Sequence, residues 1–257
     1  MHNSIKMLVT LFFFVFSSCT TISCTHFESG SSSLSHILPR SSFVKLESSV
    51  DIKICNPKNP EECVNNKIKY SGSGFVIGNN PAGAYIMTAA HVCDNSNIIK
   101  MIKEDGFEII GTSFQAIDIE GSKYSAIVIE MHKKEDICIA YVPNLYRPPI
   151  LVSSTAPIPG DVAYNIAAPA GWYGVDMMPI LTGHFSGIDL KHGLSVFSVP
   201  ATGGSSGSPV VNHKGELIGM IHSVNRYFPF VSISPTSEQL RRFIFSSIKR
   251  HQTNSCK

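Results

Sequence analysis

TGGSSGSPVV, residues 202–211, decides how the chain is to be read. A flexible Gly-Ser linker would stay polar, but this run meets Pro209, Val210 and Val211. It continues into NHKGELIGMI (212–221), a pattern that predicts a strand, a Lys-Gly turn and a second strand. The glycines and serines therefore belong to a folded hairpin region. A tight turn of this composition can hold one hydroxyl still while backbone amides converge beside it to bind an oxyanion. Ser206 is the candidate nucleophile, and the amides of Gly204 and Ser206 are the candidate donors. Gly204 has no Cβ, which lets its peptide turn as such a hole requires.

A serine hydroxyl needs a base, and the base must itself be oriented. Upstream, YIMTAAHVC (85–93) ends a strand on small residues before His91, and KKEDICIAYV (133–142) places Asp136 at the head of an apolar strand. Asp94 is nearer to His91 in sequence, but it stands in CDNSN, which reads as loop. The remaining readings of these segments are structural: a histidine capping a strand end, a turn aspartate and a Gly-Ser loop.

TAAH, DICIA and GGSSGSP, in the order His, Asp, Ser, resemble the triad segments of the chymotrypsin-fold serine peptidases. The flanking SGSGFVI (71–77) and GELIGMI are similar to the neighbouring strands of the bacterial members, and the resemblance covers about residues 43–248. It implies an all-β fold of two six-stranded antiparallel barrels with the cleft between them, closed by a C-terminal helix. It also implies Ser206 as nucleophile, His91 as general base and acid, and Asp136 as the group that orients the imidazole. Ser205 occupies the place where digestive trypsins carry an activating aspartate, so that route of activation is not carried over.

Within the family, TGGSSGSPVVN is closest to the V8-like glutamyl endopeptidases and the HtrA protease domains. The V8-like pocket uses a threonine five residues before the nucleophile and a histidine fifteen after it. Here those positions hold Ala201 and Ile221, with Thr202 and His222 one step further on. In a strand one step reverses the face. The expected pocket is therefore apolar, and preference for glutamate is not inherited.

The rest of the chain fits an all-β domain. Short runs rich in Val, Ile, Tyr and Phe recur: FVKLESSVDIKI, GFVIG, AYIMTA, FEIIGTSFQAIDIE, SAIVIEM, ICIAYV, DVAYNIAA, LSVFSV, ELIGMIHSV and PFVSIS. They predict ten or more strands. Helical periodicity is strong only at the end, where Leu240, Phe243, Ile244 and Ile248 share a face. Its cap is either Ser234 before Pro235, or Thr236 with Gln239.

The 257 residues are 43% hydrophobic and 16% charged with a formal net charge of +2, too little to make nucleic acid an obligate partner. Residues 1–23 read as an export signal: Lys6, an apolar run from Met7 to Phe16 broken by Thr10, then small residues. The run is about half the length of a bilayer-spanning helix. FSSC (16–19) resembles a lipobox, which would lipidate Cys19 and tether the protein to a membrane, and cleavage before Cys24 is the rival. Residues 24–42 read as a Ser-rich tether, 43–250 as the peptidase domain and 251–257 as a tail. An exported monomer acting on proteins or peptides is expected.

Cysteine usage agrees with export. Cys55 and Cys63 bracket a short loop that a disulfide could close, and Cys93 and Cys138 each lie two residues after a triad candidate, as a second bridge or as buried thiols. The odd count leaves Cys24 or Cys256 over. No cofactor or metal is expected, since His184 and His192 lack zinc spacing, HExxH is absent and SGSG (71–74) is followed by no Gly-Lys-Ser/Thr. Beside an exported serine endopeptidase stands one alternative: a trypsin-fold protein that is catalytically silent or esterase-like and serves mainly as a surface binding module.

Overall fold

A computed structural model describes residues 37–56 and 58–255. The expectations placed on the export signal, Cys19, Cys24, Cys256 and most of the tether lie outside the described residues. Among the described residues, no helix is long and apolar enough to cross a membrane.

Among the described residues, fourteen strands form two curled, antiparallel seven-stranded sheets, the double-barrel arrangement of the chymotrypsin fold. The first contains β1 (Phe43–Asn56), β2 (Asn59–Asn80), β3 (Gly83–Thr88), β4 (Glu108–Ile117), β5 (Lys123–Ser125), β6 (Ile127–His132) and β7 (Ile137–Pro143), in the order β5-β4-β1-β2-β3-β7-β6. The second contains β8 (Val162–Ile166), β9 (Ile180–Asp189), β10 (Leu194–Phe197), β11 (Pro209–Val211), β12 (Leu217–Met220), β13 (Ser223–Val224) and β14 (Ser232–Pro235), in the order β12-β11-β8-β9-β10-β14-β13. The sequence predicts six strands per barrel. Each sheet gains a short edge piece, β5 with three residues and β13 with two, too brief to show an alternating pattern.

The longest departure from expectation is the β1–β2 hairpin. Its register runs from Phe43 opposite Phe75 out to Cys55 opposite Cys63, where a disulfide joins the arms. The outer half of β2, ECVNNKIKY, is too rich in Asn, Lys and Glu to read as strand. Pairing with β1 overrides that bias, because Val50 and Ile52 are buried under α2 (Ser96–Glu104). Ile98, Ile99 and Ile102 of this helix pack there with Phe107 and Ile109. At nine residues, α2 is too short for its periodicity to stand out, and only the triplet of isoleucines announced it.

One apolar cluster joins the sheets. Phe43, Leu46, Phe75, Tyr85 and Ile139 of the first pack in it with Ile166, Val211, Leu217 and Met220 of the second. The closing helix, α3 (Ser237–Ser255), buries Leu240 and Phe243 against the same cluster. Its start uses the second of the two expected caps: the Gln239 amide donates to Thr236 Oγ1 at 3.2 Å, and the Thr236 amide to Gln239 Oε1 at 2.7 Å.

The segment before β1 is built into the fold. Leu38 is buried in the joint cluster, the Ile37 carbonyl lies where a Cβ on Gly215 would come within 2.4 Å, and the Arg40 guanidinium donates to the Asp176 carbonyl at 2.8 Å. This strap crosses onto the second sheet before the chain enters the first.

Candidate active site

The site begins where β3 ends. Thr88-Ala89 leads into the four-residue turn α1 (Ala90–Cys93), which carries His91. A helix leaves its first amides without internal partners, and no side chain of the turn supplies one. Asp136 does so from across the sheet. Its carbonyl accepts the Ala90 amide at 3.1 Å and its Oδ1 accepts the His91 amide at 2.9 Å. Its Oδ2 then lies 2.8 Å from His91 Nδ1. One residue thus fixes both the turn and the ring.

Asp136 can do this because its backbone sits at φ 52°, a left-handed conformation that Asp tolerates better than most residues and that costs of order 1 kcal/mol. The next residues enter β7, where Cys138 is bridged to Cys93 of α1. The bridge spans 45 residues and pins the histidine turn to the aspartate strand. Of the two readings left open for these cysteines, the disulfide is the one found. The side chains of His91 and Asp136 are 52% and 22% exposed, so the ring is open to solvent on its outer side while its partner is mostly covered. Asp94 has other partners: Lys133 at 2.6 Å and the Ser96 amide hold its carboxyl down at about 2.

The Ser206 loop is placed by backbone contact. Gly207, at φ 85°, fits where a Cβ would come within 2.1 Å of Thr88 Oγ1 and 2.2 Å of the Ser73 carbonyl. Its amide donates to the Ile221 carbonyl at 2.6 Å. The Ser206 carbonyl accepts the Ser73 amide at 2.8 Å, and Gly72 leaves room there for Val92, the neighbour of His91. The loop therefore lies against α1. No hydrogen bond joins the Ser206 hydroxyl to the His91 ring among the described residues; such contacts commonly tighten only with substrate bound.

The amides of Gly204 and Ser206 donate to no protein acceptor among the described residues. In a trans peptide the carbonyl points opposite to the following amide. The Gly203 carbonyl is taken by the Ala170 amide at 2.6 Å and the Ser205 carbonyl by the Ser208 amide at 3.0 Å. Both free N–H groups therefore turn away from these bonds. Ser73, which sequence reasoning missed, holds this arrangement: its hydroxyl donates to the Gly204 carbonyl at 2.8 Å and accepts the Ala168 amide at 3.1 Å. Its signal lay in SGSG (71–74), whose glycines serve close packing.

The four pocket candidates divide. Ala201 and Ile221 are buried in the apolar cluster of the second sheet with Phe185, Phe197 and Val199. Thr202 is exposed. His222 lies on the opposite face from Ile221, with Nδ1 3.6 Å from Asp136 Oδ2. Burial holds its imidazole below the usual histidine range, with Asp136 opposing that shift and His91 reinforcing it.

Comparison with known proteins follows this geometry. The family model described as trypsin-like peptidase domain matches residues 72–220, more than half of the chain. Serine protease HTRA1 of Xenopus tropicalis is 26% identical over 191 residues, covering 71% of this chain and 37% of that protein. Serine protease HTRA3 of Rattus norvegicus is 27% identical over 189 residues, covering 70% and 38%. The chain thus spans well under half the length of these relatives. Among solved structures, the Rv3671c protease of M. tuberculosis in its active form superposes with a TM-score of 0.56 at 18% identity over 79% of each chain. The HtrA-type protease AlgW with a decapeptide gives 0.63 at 14% identity, over 84% of this chain and 66% of that one. At such identities the structural likeness is one of fold.

Proposed function

The chain belongs to the trypsin-like peptidase family, and on that premise we propose that it is an exported serine endopeptidase that hydrolyses protein substrates through an acyl-enzyme. The observation that carries the reading is the grip of Asp136 on His91, ring and amide together, at 2.8 and 2.9 Å. That grip leaves Nε2 as the ring's available base.

In this reading Ser206 attacks the scissile carbonyl while His91 takes the hydroxyl proton and then delivers it to the leaving amine. Asp136 keeps the proton of neutral His91 on Nδ1 and stabilises the imidazolium that forms. The Gly204 and Ser206 amides receive the oxyanion, a contribution of about 3 kcal/mol per donor in comparable sites. Water then attacks the acyl-enzyme with His91 again as base. β13 stands at the edge of its sheet and so offers an unpaired backbone against which an extended peptide can lie. The apolar surroundings of Ala201 and Ile221 favour uncharged side chains at the bond cut, since a buried carboxylate would find no donor from either. Two disulfides support an oxidising compartment.

The test is covalent. A fluorophosphonate probe should label the wild type and not Ser206→Ala, and a peptide-library profile should show cleavage after uncharged residues. Equal labelling of both proteins would remove the nucleophile assignment. A kcat/KM for glutamate well above that for leucine, lost in His222→Ala, would restore a glutamyl preference.

A further inference from the structure

His222 is placed in a way that the roles assigned so far do not use. Its side chain is 14% exposed, and its ring Nε2 is buried with no hydrogen-bond partner. Its Nδ1 faces Asp136 Oδ2 at 3.6 Å, the same oxygen that His91 Nδ1 meets at 2.8 Å. Its backbone is fixed, since its amide donates to the Ile233 carbonyl at 3.0 Å. Asp136 therefore stands between two imidazoles, one open to solvent and one enclosed.

We propose that His222 is a positioning residue for the hydrolytic reaction: a neutral second imidazole that presents Nδ1–H to Asp136 and so holds the carboxylate, and through it the His91 ring, in the orientation catalysis needs. This rests on the roles given above to His91 and Asp136. The surroundings select its state. A proton on Nε2 would be a buried donor with no acceptor, whether the ring were neutral or charged, and leaving it unpaired is costly. The tautomer with hydrogen on Nδ1 instead turns its N–H toward a carboxylate lone pair that the His91 contacts leave free. Burial and the neighbouring His91 also oppose a charge on the ring.

The consequence for the base has a definite sign. A neutral donor on Asp136 draws carboxylate charge away from His91 and so disfavours the imidazolium. Removing it concentrates that charge on His91, which then holds its proton to higher pH, and it also frees the carboxylate to rotate. The titratable groups acting on His222 are Asp136 and His91.

The experiment compares wild type with His222→Leu, which fills the space without a donor, and His222→Asn, whose amide can place N–H where Nδ1 was. His222→Leu should lower kcat by about threefold to tenfold, less than a full hydrogen bond to a charged group contributes because the contact is 3.6 Å, with little change in KM. The acid limb of kcat/KM should move to higher pH, and His222→Asn should recover most of both effects. A rise in KM with kcat unchanged would make His222 a pocket residue and overturn the proposal. Equal losses in both variants with an unmoved acid limb would overturn it as well. Histidine NMR titration on the Ser206→Ala background reads the same coupling without turnover. The titration of the His91 ring should move to higher pH in His222→Leu and return in His222→Asn, and no movement overturns the proposal whatever the protease assays show.

Discussion

The two sheets hold their shares of the site by different physics. The first supplies His91 and Asp136 and secures them with directional bonds: a carboxylate that grips a ring and an amide, and a disulfide between the turn and the strand. The second supplies Ser206 on a loop that contains no cysteine, fitted by glycines pressed against neighbouring backbone. In the proposed reaction the base must keep its direction while it gains and loses a proton, and bonds suit that. The proposed nucleophile has free amides beside it, so the loop is held through its carbonyls, the Gly207 amide and contact. Each half is thus held where the proposed chemistry needs it.

The comparison is most open to breaking at the reacting groups. Ser206→Ala and His91→Ala should each lower kcat by on the order of 10⁴ or more without unfolding the protein, and Asp136→Asn should be comparably severe. The double variant Ser206→Ala/His91→Ala should be little worse than either single one, because the two act as a unit. Peptide hydrolysis with a circular dichroism control decides this; a half whose residue is dispensable for turnover would end the shared-site description.

Next in size is the covalent tie of the first half. Replacing Cys93 and Cys138 by alanine opens a loop of 45 residues and should cost about 4 kcal/mol in urea denaturation, with a fall in kcat as α1 loosens from β7. The Cys55–Cys63 pair closes only 8 residues and should cost about 2.5 kcal/mol with kcat unchanged, since it ties the hairpin tip. Equal effects of the two pairs on kcat would show that the first disulfide does not position the base.

The contact-held half is sharpened by a pair of glycines. Gly207→Ala should cost about 3 kcal/mol and much of the activity, because the new methyl meets backbone and the position needs a positive φ. Gly203→Ala, four residues away in the same loop, adds a Cβ with nothing within 4 Å and should change stability by less than about 0.5 kcal/mol. If the two alanines behave alike, close packing is not what shapes the loop.

The smallest effect is on the pH dependence of stability. The His222 imidazole is held below its unfolded value of 6.5, so the unfolded chain takes up a proton that the native state refuses. Its contribution is fully present above 6.5 and is lost as pH falls below that value. The urea midpoint should therefore decline on acidification from pH 6.5, and His222→Leu should flatten that decline. An unchanged slope would place the acid sensitivity elsewhere.

Much of this was legible in the sequence for a chemical reason. The candidate residues stand in short, sharply bounded motifs: TAAH and GGSSGSP end or begin a strand on small residues, and DICIA opens an apolar strand on an aspartate. The shared apolar core was legible through the runs of Val, Ile, Tyr and Phe in β1, β3 and β7, the last two buried along most of their length. What stayed hidden depends on pairing: the polar outer half of β2 is strand only because β1 lies beside it, and α2 is a helix whose apolar face has meaning only over that hairpin. SGSG marked the place of Ser73 but not its role, since that serine gains its role from the Gly204 carbonyl 131 positions away. The meeting of His222 with Asp136 was half legible: alternation turns it away from Ile221, but nothing in the sequence says what waits on the other face.

The strap before β1 sets a timetable for folding. Ile37 and Arg40 find their partners at Gly215 and Asp176, so they cannot settle until the chain has been made well past both. During synthesis the first sheet can gather early from its own hairpins, but this leading segment must wait for the second. A segment that leaves the ribosome ahead of both sheets is thus among the last to reach its place.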